Sequence, residues 1–455
     1  MNPPAAAIPA PSPWSRWTDH TLRMEDAVAW TFGEASLPPA VEAQARLMLI
    51  DTIGCMIAAR AAPEVAALEE QYGKLEYGHF RYPGGHRLST HGALTVGATA
   101  ATWDEACEGN AVAHGRPGVP VIAALLPLAL TRDAKLGAVL KALVAGYETG
   151  ARAGHWLRIR PGMHVDATWP SLGVAAGTAH LLGLSAADAF TAVNITACQL
   201  PASQYLPVTT GATARNSYLG HAAALGLMAA MHAQAGVGAP PDALACYAEN
   251  HSAASPEPLI AAGRHLIAES YLKPYAAVRH VHYGAQAAKL LRDQLDGGTQ
   301  KISRIVLSIY DEAITYCGNR DARTPIQAQF SLSFGIAAML RFGALDPSMY
   351  RRERFLDAEL RRLEKLIVVE PNPALTRAGK RGATLRIEGG YSEHEIDVAS
   401  VKGDADDPLT QEEVTAKFLR YCAPAIAADK AYHFAAAMLA STDDVEFRSL
   451  WDLLT

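Results

Sequence analysis

The 455-residue chain has six cysteines and no C-x-x-C pair among them. Cys55, Cys107, Cys198, Cys246, Cys317 and Cys422 are scattered. That spacing argues against a disulfide framework or a thiolate zinc site, and for reduced thiols in the cytoplasm. Long apolar runs are missing too: no stretch reaches the ~18 to 20 uninterrupted apolar residues of a membrane helix. Positive charge is not in excess either. A formal net charge of -6 gives no general attraction to nucleic acid or anionic lipid, so any basic site must be local. The familiar catalytic signatures, G-x-x-x-x-G-K-[ST], a strand-borne G-x-G-x-x-G, H-E-x-x-H and G-x-S-x-G, are absent.

What is present is a globular composition, 50% apolar and 19% charged, long enough for two or three cores. The opening MNPPAAAIPAPSPW carries five prolines and no apolar run, and reads as a loose arm rather than a signal peptide. Residues 15–270 show helical spacing with short Gly/Pro breaks, as in "PPAVEAQARLMLIDTIGCMIAAR", and predict an all-helical domain. Small residues on all faces of these helices predict close packing. Near residue 300 the period changes. "KISRIVLSIYDEAI" alternates as a strand, "LEKLIVVEP" follows, and "GATLRIEGGYSEHEIDVASVKG" predicts a hairpin turned at Gly389-Gly390. Residues 271–403 are therefore expected to form a smaller α+β domain. Residues 404–455, opened by a capping box at Thr410 and Glu413, are expected to return as helices to the first domain.

Four polar clusters stand out. "TWDEACEGN" carries Asp104, Glu105 and Glu108, and runs into "AVAHGRPG" with His114 and Arg116 on a stiff turn. Carboxylates beside a histidine suit acid/base work, although a helix end with solvated acids looks the same in sequence. "RPGMHVDATWPSLG" places His164 in a loop ahead of a helix, and "TTGATARNSYLGHAAALG" sets Arg215 and Tyr218 among small residues. "YLKPYAAVRHVHYG" gathers Lys273, Arg279, His280 and His282. His280-x-His282 has the alternate spacing of an extended segment with no acid close by, so no metal is expected there.

Taken in order, these segments resemble the MmgE/PrpD family, which includes 2-methylcitrate dehydratase, cis-aconitate decarboxylase and iminodisuccinate epimerase. The resemblance runs from "LMLIDTIGC" through "HGRPGVPVIAALLPLA", "HVDATWPSLGVAAGTAHLLGLS", "GHAAALG", "YLKPY" and "AQFSLSFGIAA" to the final helices. It implies a mainly α fold with a helical domain, an α+β lid and a cleft between them. It also implies a homodimer with no cofactor, and a lyase or isomerase reaction that begins with proton abstraction beside a carboxylate of a small acid. By the same resemblance His164 and Lys273 match the family's loop histidine and "K-P-Y" lysine, and its acid falls near Glu105.

Four positions depart from the family. Its His-Pro-Gly becomes Arg116-Pro117-Gly118, its lysine before the Gly-x-Ala-Ala helix becomes Arg215, and Val278 and Phe334 replace a histidine and a tyrosine. Arginine stays charged at any working pH, so Arg116 and Arg215 hold anions without trading protons. His164, Lys273, Glu105 and His114 are thus the expected catalytic residues. Arg116, Arg215, Asp104, Arg279 and Tyr218 are expected at the substrate. The departures leave a second possibility, a carboxylate-binding homologue that has lost the chemistry.

Overall fold

A computed structural model describes residues 15–252, 259–295, 298–389 and 392–455. The N-terminal arm, residues 1–14, and the expected turn residue Gly390 lie outside these. Pro39–Ala59 is a helix because Pro39 takes its first position, where a missing N–H costs nothing, and Glu42 complements the dipole. The Gly118–Thr131 helix is buried along its whole length to Leu130. Around it pack Thr90–Trp103, Leu136–Trp156, Pro170–Leu181 and Tyr218–Gln234. No helix among the described residues is long and apolar enough to cross a membrane.

Glycine sets the tightest crossing. A Cβ on Gly173 would stand 2.6 Å from the Gly146 carbonyl oxygen, and one on Gly146 would stand 2.8 Å from that of Gly173. Only hydrogen fits between two backbones that close. The crossing fixes Leu136–Trp156 against Pro170–Leu181, and so fixes the loop between them that carries His164.

The α+β segment holds one four-stranded sheet in the order Ile367–Pro371, Ile302–Ile309, Ala383–Gly389, Ser392–Val398. The first pair is parallel and the other two antiparallel. Ile305, Leu307 and Ile309 of the central strand are buried, as the period-2 pattern requires. Arg279–Arg292 and Leu332–Phe342 pack on each other beside the sheet. The chain is thus mainly α with a smaller α+β part. Gln411–Cys422 opens with the expected capping box and lies along Pro39–Ala59.

Two details differ from the sequence reading. The helical region contains two short antiparallel pairings, Phe80–Arg81 with Arg87–Leu88, and Gly109–Asn110 with Ser270–Tyr271. Strands of two residues are too short to show a period. His280 and His282 sit on the first turn of the Arg279–Arg292 helix, not on an extended segment. Val278 precedes that helix without a side-chain cap, so nothing in the sequence marks its start.

Candidate active site

The Gly109–Asn110 and Ser270–Tyr271 pairing runs two distant segments side by side, and thereby brings Lys273 to Glu105. Glu105 has a left-handed backbone, φ 54°, a conformation that favours glycine. Its side chain repays that cost. Glu105 Oε1 accepts from Lys273 Nζ at 2.7 Å, and Oε2 accepts from Arg116 Nη1 at 2.7 Å and from Arg215 Nη2. Lys273 also donates to the Glu105 carbonyl at 3.0 Å. Arg116 reaches Asp166 Oδ2 with its other terminal nitrogen, so one guanidinium bridges two buried carboxylates.

Burial alone would raise both carboxylates. For Glu105 the charges of Arg116, Arg215 and Lys273 outweigh burial and hold it well below its usual range. Asp166 is lowered for the same reason, chiefly by Arg116. Both are anions at any ordinary pH.

His164 is fixed by the strand of chain opposite it. Its backbone N–H donates to the Ser203 carbonyl at 2.9 Å, and Ser203 Oγ donates back to the His164 carbonyl at 2.7 Å. Tyr205 stacks on the ring at 5.7 Å and Tyr218 meets it edge-on at 5.4 Å. Burial pushes the imidazole down to about 4, with Arg215 and Arg116 adding to the effect and Asp166 opposing it.

These groups line a cavity of ≈ 580 Å³ shared by the helical and α+β segments. His114, Arg116, His164, Arg215, Lys273 and Glu105 are all at its wall, as is Arg279. The Arg279 guanidinium, however, is spent on Asp404, the Val401 carbonyl and His282. Asp104 and Tyr218 are not at the wall. Asp104 turns away into a two-pronged pair with Arg351, both N···O distances 3.0 Å, and Tyr218 donates to the Gln204 carbonyl at 2.9 Å. The turn bearing His114 and Arg116 is held by Asn110 Oδ1, which accepts from the Val112 and Ala113 amides. Gly115 there makes room for Trp169, whose ring would stand 2.5 Å from a Cβ.

Sequence reasoning passed over Asp166, Glu312, Arg381 and the Tyr205 ring. Asp166 had a signal, standing two residues beyond His164, but its partner Arg116 is 50 residues away. Arg381 and Glu312 come from the α+β segment and face each other at 3.6 Å. His280 reaches the wall with Nδ1 on the Tyr310 hydroxyl at 2.7 Å, while His282 turns inward to the Ala277 carbonyl. No group of three or more metal-ligating side chains occurs among the described residues.

Glu108 has a separate task. Its Oε1 accepts from the Gly118 and Val119 amides at 2.8 and 3.1 Å, capping the central helix directly after the Arg116 turn. Oε2 is buried with no partner among the described residues, and burial pushes the carboxyl up to about 8. A carboxyl raised in the folded state stabilises fully below its unfolded value and loses that contribution as pH rises through 8. Glu108→Gln keeps the capping oxygen and cannot ionise. Between pH 6 and 9 its unfolding free energy should gain on the wild type by on the order of 3 kcal/mol. Denaturant titrations at the two pH values check this, and a constant difference would count against it.

The fold and cavity define a mainly helical protein with a buried, cation-rich chamber sized for a small molecule. The chain belongs to the MmgE/PrpD family, of dehydratase and lyase type. The family's N-terminal domain matches residues 30–249 and its C-terminal domain matches residues 275–443. No curated relative matches the chain.

Proposed function

We propose that the protein is a cofactor-free lyase or isomerase that abstracts a proton next to a carboxylate of a small acid. One observation carries the reading. Among the described residues, six cationic side chains and three carboxylates line the cavity, on a chain whose formal net charge is -6. Such a local excess selects an anion and steadies charge building on carboxylate oxygens as the neighbouring proton leaves. Glu105 and Asp166 serve as internal counter-ions that aim Arg116, Arg215 and Lys273 and let them share a dry site. Lys273 has one N–H left beyond its two bonds to Glu105 and is the most direct contact for an incoming carboxylate. His164 and His114 are the imidazoles of this end of the cavity. The bond that breaks next decides between dehydration, decarboxylation and epimerisation.

The test is a panel of di- and tricarboxylic acids incubated with the protein in D2O and followed by NMR. Deuterium at the carbon beside a carboxylate, or a new product, is the expected result. No exchange and no product with any acid would defeat the reading and leave a carboxylate-binding protein.

A further inference from the structure

The hydrogen bond at the back of His164 says which of its nitrogens carries the proton. Nδ1 lies 3.1 Å from the backbone N–H of Asp166 and accepts from it. A backbone amide cannot act as an acceptor, so a proton on Nδ1 would face another N–H. The carboxylate that might rescue such a proton, Asp166 Oδ2, stands 3.8 Å away and is already engaged by Arg116. The neutral ring is therefore held with its proton on Nε2, and Nε2 has no partner among the described residues. The rings of Tyr205 and Tyr218 keep the imidazole from turning over.

We propose that His164 is a fixed Nε2–H donor to a carboxylate oxygen of the substrate, and not the base that takes the carbon-bound proton. A base at Nε2 would need a lone pair there, and so a proton on Nδ1 against the Asp166 amide. The surroundings oppose a charged ring as well: Arg215 and Arg116 stand near it, and burial depresses its protonation. Asp166 and Glu105 pull the other way but are taken up by those arginines. A neutral donor aimed at oxygens that gain charge stabilises the transition state without a change in protonation. The carbon-bound proton then passes to a different group of the cavity.

The inference rests on the proposed chemistry for its kinetic consequence, but not for the tautomer. Long-range proton–nitrogen spectra of the 15N-histidine-labelled protein, with His164 assigned by its loss in His164→Gln, should show unprotonated Nδ1 and protonated Nε2 at pH 7. Adding succinate as a probe should shift the Nε2 signal. A protonated Nδ1, or a ring that charges near pH 6.5, would overturn the proposal. On a substrate found in the D2O panel, His164→Gln, which keeps an N–H near the Nε2 position, should retain kcat within about tenfold, while His164→Ala should lose about 100- to 1000-fold. Equal loss in both variants, with wild-type melting behaviour, would also overturn it. If no acid turns over, the proposed function fails, and the spectra still decide the tautomer.

Discussion

Glu105→Ala should lower the unfolding free energy by about 3–5 kcal/mol and abolish turnover, the penalty for breaking a buried ion pair by removing one partner. Glu105 is 3% exposed and is the only carboxylate that Lys273 touches, so truncation leaves a buried ammonium with just the carbonyl of residue 105. Arg215 would keep the Thr102 carbonyl and Asn216 Oδ1 but lose its close carboxylate. Glu105→Gln should be milder, since an amide oxygen still accepts from Lys273 while the charge is gone. Glu105→Gly separates the two terms. It loses the same carboxylate but relaxes a φ of 54°, and should be more stable than the alanine variant by about 1 kcal/mol. Denaturant titration of the three variants gives the order Gln, Gly, Ala. An alanine variant with wild-type stability would mean that the cations do not depend on Glu105.

Much of the fold was legible because its signals are local. Pro39 marks a helix start, Thr410 and Glu413 close a capping box, and Ile305, Leu307 and Ile309 alternate on one face. The site was legible only as residue types. Asp104 and Glu105 are adjacent, and nothing in their order says which faces the cavity; the left-handed turn at Glu105 decides it and sends Asp104 to Arg351. The clamp on this turn is not legible at all. Gln329 holds the Trp103 carbonyl, Arg351 holds Asp104, Lys273 holds the Glu105 carbonyl, and Lys417 donates to the Ala106 carbonyl at 2.8 Å. All four come from the later part of the chain and act across more than 160 residues of separation, where periodicity carries no information. Asp166 was missed for the same reason: alone, an acid after a loop histidine is unremarkable, and only Arg116 makes it part of the site.

Arg116→Met should cost about 3–5 kcal/mol near neutral pH and reduce kcat/KM by at least 100-fold, and its stability defect should shrink as pH falls. Arg116 is the principal charge holding down both Glu105 and Asp166. Methionine fills similar space and leaves two buried anions with Arg215 and Lys273 alone. The pH dependence follows from the direction of the shifts. A carboxylate depressed in the folded state contributes stability above its unfolded value, and loses it as pH falls through the folded value. In the wild type that contribution is intact at pH 7 for both groups. In the variant the Arg116 share of the depression is gone, so each carboxyl accepts a proton at higher pH and escapes the cost of a buried charge. The gap in unfolding free energy should therefore be widest at pH 7 and narrow by pH 4.5. Arg116→Lys should fall between, because an ammonium keeps the charge but lacks the fork that reaches two carboxylates at once. Denaturant titrations of the three proteins at pH 7 and 4.5 measure the gap directly. A defect that stays constant across that range would show that Arg116 acts by packing, and that the carboxylates do not depend on its charge.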